Sequence, residues 1–213
     1  MSEHADPEWF PPLEQALREP SGLLAAGGDL SPARLLSAYE RGVFPWYSAQ
    51  QPILWWAPDP RMVLFPAEFK VSRSLGKTLS NGRFECRLDT AFGATIRACA
   101  APRRSGADTW LNAEMIDSYE ELHHRGYGHS VETWQGDELV GGLYGLQLGG
   151  VFFGESMFSR EPDASKAALA GLVEHCGALG IDLIDCQLPS AHLRSLGSRA
   201  MPRRQFLRFL QPA

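Results

Sequence analysis

The sequence predicts an α+β protein: a small N-terminal domain over residues 1–60, then a larger domain over residues 61–213 with a mixed, largely antiparallel sheet flanked by helices. Two patterns point that way. Up to Pro60 the chain is rich in Pro, Gly and Trp and offers one good helix. From Arg61 onward strand-like and helix-like periodicities mix, and three successive strand signals divided only by turn residues precede a long helix and a further strand. A chain of 213 residues that is 44% apolar and 21% charged can bury a substantial core, which excludes disordered and collagen-like classes.

In the first domain Ser31 can cap a helix, Pro32 suits its first turn, Leu35, Leu36 and Tyr39 form its apolar stripe, and Gly42 stops it. The second domain opens with strands near 62–65 and 84–89 and a helix over 91–100. A longer helix over 111–125 carries Leu111, Met115, Tyr119 and Leu122 on one face and ends at Gly126, with His123 and His124 turned to solvent. Strands near 129–134, 138–148 and 151–158 are joined through Gln135-Gly136-Asp137 and Gly149-Gly150, which read as hairpin turns. A helix over 163–179 aligns Leu169, Leu172, Val173 and Cys176. Gly180 then precedes a strand over 181–188. Hairpins, then a helix, then a strand suggest an acyltransferase-like sheet.

No window approaches the ~18 consecutive apolar residues that a membrane span needs. The opening residues lack the basic and apolar regions of a signal peptide, so the expectation is a cytoplasmic protein. Four cysteines, Cys86, Cys99, Cys176 and Cys186, show neither C-x-x-C nor zinc spacing and read as reduced thiols. Charge is segregated along the chain. Residues 1–60 hold three basic and eight acidic side chains, 61–104 nine and three, 105–186 three and fourteen, and 187–213 five arginines and no acid. Such segregation either decorates solvated faces or builds one field for a polyanion and another for a cation.

The strand over 181–188 is the most informative segment. Alternation sends Asp185 and Gln187 to one face and Ile184 and Cys186 to the other. A carboxylate followed by an amide on a buried strand is costly without partners, and Glu155 poses the same question on its own strand. Such carboxylates either satisfy backbone donors or an arginine, or they do chemistry. Trp46 and Trp110 sit in loop-like contexts where an indole is either core or a platform for a nucleobase, whereas Trp55 and Trp56 read as core. The sequence contains no H-E-x-x-H, G-x-S-x-G or Walker loop. The nearest approaches to a coenzyme A pyrophosphate motif, Arg103 to Asp108 and Gln147 to Phe152, both miss its last small residue, which disfavours coenzyme A.

Longer motifs carry a resemblance. Gly22 to Pro32, Arg41-Gly42-Val43-Phe44-Pro45-Trp46 and Trp55 to Arg61 open it. Gly154-Glu155-Ser156-Met157-Phe158-Ser159, Ala164-Ser165-Lys166 and Leu183-Ile184-Asp185-Cys186-Gln187 extend it, and His192-Leu193, Ser195-Leu196-Gly197 and Pro202-Arg203-Arg204 complete it. Across almost its whole length the chain resembles bacterial leucyl/phenylalanyl-tRNA/protein transferases. The resemblance implies a GNAT-like second domain and transfer of Leu, Phe or, less readily, Met from aminoacyl-tRNA to the α-amine of proteins beginning with Arg or Lys, creating a degradation signal. It implies no cofactor and no metal. A monomer is the expected working form.

By the same resemblance, Asp185 and Gln187 form the catalytic pair, with Asp185 binding and polarising the incoming amine, directly or through water, and Gln187 orienting it or the ester, and Glu155 helps hold the cationic substrate. Trp46 and Trp110, with Tyr39 and Tyr119, would receive the 3′-terminal adenosine. Leu143, Phe152, Met157, Leu172 and Ile184 would form the aminoacyl pocket, and Arg73 and Lys77 would meet tRNA phosphates. Two rivals stand beside this reading: a coenzyme A-dependent N-acyltransferase, weakened by the missing pyrophosphate loop, and a non-catalytic adaptor for basic N-termini or RNA, weakened by the Asp185/Gln187 pair.

Overall fold

A computed structural model describes residues 10–101 and 110–211. The first part of the chain forms β1 (Leu23–Ala26), α1 (Pro32–Glu40), β2 (Phe44–Pro45) and β3 (Leu54–Trp56), the strands pairing antiparallel in the order β1-β3-β2. Ser31 caps α1 by accepting from the Arg34 N–H. Gly42 then takes φ +70°, and a Cβ there would press on Phe206 and Leu207 at 3.1 and 3.0 Å, so both conformation and space demand glycine.

From Arg61 the chain builds β4 (Arg61–Leu64), α2 (Arg73–Ser80), β5 (Glu85–Leu88), α3 (Phe92–Ala100) and α4 (Ala113–His124). There follow β6 (Gly128–Gln135), β7 (Glu138–Leu148), β8 (Val151–Ser159), α5 (Ala164–Leu179), β9 (Leu183–Gln187), α6 (Ala191–Ser195), β10 (Arg199–Met201) and α7 (Arg203–Phe206). Seven strands make one sheet in the order β10-β4-β9-β8-β7-β6-β5, antiparallel throughout except where β8 lies parallel to β9. That parallel pair requires a crossover, and α5 supplies it. The architecture is the expected α+β one, with a mixed sheet flanked by helices.

Alternation divides the core between the two faces of the sheet. One face gathers Tyr39, Trp55, Ile96, Met115, Tyr119, Tyr144, Phe153 and Phe206, so α1, α3, α4 and the small sheet share one core. The other gathers Leu75, Val131, Leu143, Phe152, Leu169, Leu172 and Ile184 beneath α2 and α5. Helix α5 sits so close to β7 that a Cβ on Gly141 would lie 2.5 Å from the Ala164 Cβ.

Some elements depart from the sequence expectation. Beside α1 the first sixty residues carry an organised three-stranded sheet. His123 does not face solvent: its ring stacks on Phe92 at 4.2 Å and its Nδ1 meets the Gly128 carbonyl at 2.7 Å. The hairpin that includes Gln147 to Phe152 is regular β7-β8 structure, while Arg103 to Asp108 lie outside the described residues. The four cysteines are free thiols.

Candidate active site

Two irregularities in the sheet create the site. Between β7 and β8, Gly145 pairs with Gly154 and Tyr144 with Ser156, leaving Glu155 as the extra residue of a β-bulge. Between β4 and β9, Val63 pairs with Asp185 and Met62 with Gln187, leaving Cys186 unpaired. The parallel β8-β9 register runs only as far as Phe153 opposite Asp185. Beyond that point Glu155 and Gln187 meet through their side chains, Gln187 Nε2 donating to Glu155 Oε1 at 3.0 Å.

Asp185 is fully buried and fully occupied. Arg61 Nε donates to its Oδ1 at 2.8 Å and Arg61 Nη2 to its Oδ2 at 2.7 Å, and Oδ1 also accepts from the Gln187 backbone N–H at 2.9 Å. Arg61 is equally buried, donates to the Gly42 carbonyl at 3.0 Å, and lies over the rings of Phe44 and Phe206. Gln187 holds φ +54°, a conformation that non-glycine residues keep only when their surroundings enforce it. The Asp185 carboxylate fastens that residue through its N–H. Asp185 thus has no exposed side-chain surface, and its oxygens are held by Arg61 and the Gln187 N–H.

Glu155 is half-buried at the edge of a cavity. Its Oε2 accepts from the Tyr119 hydroxyl at 3.1 Å, and the Tyr119 and Tyr39 hydroxyls lie 2.5 Å apart. Removal from water pushes the Glu155 carboxyl up from the ordinary 4.5 to about 7, hydrogen bonds from the tyrosines opposing the rise and the Asp185 charge adding to it. The carbonyl oxygen of the Gln187 side chain has no partner among the described residues, so an acceptor faces the opening beside a carboxyl that titrates near neutrality.

The cavity has a volume of about 420 Å³. Leu143, Phe152, Met157, Leu172 and Ile184 all line it, as do Trp46 and Trp110. Met157 reaches the same wall as Phe152 because the bulge at Glu155 shifts the alternation by one residue. Trp46 is 40% exposed and edge-on to Trp56 at 5.7 Å, and Trp110 is half-buried. Tyr39 and Tyr119 do not join them: both are fully buried and reach the site only through their hydroxyls, so neither offers a ring face to a base. Arg73 and Lys77 are exposed on α2 and form no ion pair with a described residue. Thr78 of the same helix contacts Asp163 at the start of α5, Asp163 pairs with Lys166, and Lys166 lies near the cavity-lining His192.

Sequence reasoning missed several cavity residues, among them His192, Leu193, Leu169 and Cys186, whose thiol is pushed up by burial. The period of α5 already aligned Leu169 with Leu172. His192 and Leu193 stood within a quoted motif, but nothing in their spacing pointed inward. Among the described residues no group of three or more His, Cys, Asp or Glu side chains could hold a metal ion, and no helix is long and apolar enough to cross a membrane.

Fold and site together define an α+β protein with an acid–amide pair at the edge of an apolar cavity. Residues 63–211 match the family model described as leucyl/phenylalanyl-tRNA protein transferase, and residues 28–59 match the model of that family's N-terminal domain. The chain belongs to the leucyl/phenylalanyl-tRNA protein transferase family and is an aminoacyltransferase. It is 59% identical over 201 residues to the leucyl/phenylalanyl-tRNA–protein transferase of Nitrosomonas eutropha, covering 94% of this chain and 86% of that one. Identity to the corresponding protein of Pseudomonas syringae pv. tomato is 59% over 201 residues, with 94% and 88% covered. For that of Aromatoleum aromaticum it is 60% over 197 residues, with 92% and 83% covered. Similar solved structures include a GCN5-related N-acetyltransferase from Kribbella flavida, with TM-score 0.45 and 12% identity over 78% of this chain and 60% of that one. Another is L-PGS from Bacillus licheniformis, with TM-score 0.44 and 10% identity over 73% of this chain and 50% of that one.

Proposed function

We propose that this protein transfers Leu, Phe and, less readily, Met from aminoacyl-tRNA to the N-terminal α-amine of proteins beginning with Arg or Lys, creating a degradation signal. It would act in the cytoplasm as a monomer without cofactor, residues 1–60 serving as the small domain and 61–213 as the catalytic one. The observation that carries this reading is the cavity itself: an apolar floor, a Glu155/Gln187 pair at its edge and two indoles on its wall. An apolar aminoacyl side chain fits the floor, where crowding by Leu143, Phe152, Met157, Leu172 and Ile184 disfavours the branched Cβ of Val or Ile. The terminal adenine would lie against Trp46 and Trp110, and the phosphates of the acceptor stem against Arg73 and Lys77.

The aminoacyl ester is already activated, so the protein must deliver a neutral amine in line with its carbonyl. A free α-amine titrates near ~8, and a carboxylate whose own proton leaves near neutrality is matched to take one from it. In the proposed step Glu155 accepts a proton from the incoming ammonium, and the Gln187 side-chain carbonyl accepts a hydrogen bond from the remaining N–H. The amine lone pair then forms the C–N bond, the C–O bond to the ribose breaks, and the ribose oxygen leaves with the second amine proton. Glu155 releases the first proton to solvent when product departs. The acid-rich stretch 105–186 supplies a field that favours a basic acceptor.

The deciding experiment incubates the protein with Leu-tRNA and a peptide beginning with Arg, using leucyl-coenzyme A as an alternative donor. Leucylated peptide from the tRNA donor alone is expected. Transfer from leucyl-coenzyme A at a comparable rate would overturn the reading.

A further inference from the structure

Tyr39 and Tyr119 are two of the largest fully buried side chains in the protein, and a packing role alone would be filled as well by phenylalanine. Their hydroxyls are instead spent on one carboxyl. Each phenol carries a single proton, and when Glu155 is ionised the proton of Tyr119 is committed to Glu155 Oε2 at 3.1 Å. The 2.5 Å contact between the two hydroxyls therefore has one direction, with Tyr39 donating to Tyr119. Gln187 Nε2 closes the other side of the carboxylate at 3.0 Å.

We infer that Tyr39 and Tyr119 form a two-hydroxyl relay that holds the Glu155 carboxylate in position and favours its ionised form, making both tyrosines positioning residues for proton transfer in place of nucleotide contacts. The inference rests on the reading of Glu155 as proton acceptor given above. It assigns a residue of the first sixty, on α1, to the chemistry of the larger sheet.

The surroundings make the relay matter. Glu155 faces Tyr39 from α1, Tyr119 from α4, Tyr144 from β7, Asp185 from β9 and Arg61 from β4. The charges of Asp185 and Arg61 act in opposite senses and are consumed in their own ion pair. Tyr144 is fully buried and its hydroxyl has no hydrogen-bond partner among the described residues, so it gives Glu155 nothing. Burial alone drives the carboxyl toward its neutral form, and the hydroxyl relay and Gln187 are what remain to oppose it. Both hydroxyls oppose that drive, so removing either should raise the midpoint.

Two measurements on Tyr39→Phe and Tyr119→Phe test this. The first is a ¹³C NMR titration of the Glu155 carboxyl in substrate-free protein, its resonance identified by its loss in Glu155→Gln. Each variant is expected to raise the titration midpoint by about one pH unit. The second is the pH profile of kcat/KM for an acceptor peptide, whose rising limb should move alkaline by the same amounts while KM for aminoacyl-tRNA stays within about twofold. Should Tyr119→Phe fail to fold, Tyr39→Phe still decides the matter. Unmoved midpoints in the folded variants would overturn the relay. So would a raised KM for aminoacyl-tRNA with an unmoved midpoint, which would return the tyrosines to the nucleotide. Shifted midpoints in a protein that transfers nothing would support the relay while overturning the proposed reaction.

Discussion

Arg61 closes both edges of its guanidinium fork on Asp185 across 124 residues of chain, and neither side chain reaches solvent. A buried pair of this kind is informative mainly through what its removal leaves behind. Arg61→Met strands a carboxylate in the core and is expected to lower unfolding stability by about 3–5 kcal/mol, read from denaturant midpoints at constant slope. Adding Asp185→Leu should restore most of that loss but not the transfer activity, since Gln187 would lose its anchor. A double variant as unstable as the single one would show that stacking of Arg61 between Phe44 and Phe206 sustains the fold and the ion pair does not.

Glu155 sets an opposite relation between stability and pH. Its folded pKa of about 7 lies above the ordinary 4.5, so the folded protein binds this proton more tightly than the unfolded chain. The resulting stabilisation is full below the ordinary value and is lost as pH rises through about 7. Glu155→Gln, which abolishes the titration, should therefore gain on the parent as the solution is made alkaline, by about 3 kcal/mol over the whole range, while transfer falls roughly 10²-fold. Melting curves at acid and mildly alkaline pH measure the first effect. A stability difference independent of pH would show that Glu155 does not titrate as described.

The indoles are expected to separate binding from folding. Trp46, being 40% exposed, can be cut to Ala at small cost in melting temperature, yet loss of one stacking aromatic should weaken binding of aminoacyl-tRNA by ~1–3 kcal/mol. Trp110→Ala should behave likewise toward puromycin-like analogues of the tRNA end. Normal analogue binding by a variant that melts many degrees lower would make that tryptophan a core residue.

Arg73 and Lys77 offer the cleanest electrostatic readout, because both are exposed on α2 and outside the ion pairs. Replacing both with Ala should weaken binding of every isoacceptor and reduce the slope of log affinity against log salt by about two. A slope equal to the parent's would place the phosphate contacts elsewhere.

The elements that could be read from the sequence are those with enough periods to count. Helices α3, α4 and α5 and strands β6 to β9 span five to sixteen residues of repeating pattern and appear where that pattern puts them. Strands β1, β2 and β3 have two to four residues each, too few for a period of two to show, and Trp55 packs into the core behind them. Helix α2 buries only Leu75 and carries Gly76 and Thr78, so its pattern reads as loop. The five apolar cavity residues were legible as a set only through family likeness. The partner of Asp185 was not legible at all, since nothing local in Arg61 marks it for a carboxylate on β9. The general expectation that a buried carboxylate satisfies backbone donors or an arginine describes Asp185 well, as it does both.

The extra residue at Glu155 acts on side-chain orientation much as a frameshift acts on codons. Before it, odd positions of β8 such as Val151 and Phe153 enter the core shared with α1 and α4. After it, an odd position, Met157, lines the cavity and an even one, Phe158, takes the core side. Positions on either flank therefore belong to different frames, and a single deletion in this loop-free strand would exchange wall for core over everything that follows. Under the proposed function, selectivity for the acyl side chain would be written in a register whose start point is the acid itself, so the cavity could not be re-cut beyond Glu155 without keeping the bulge.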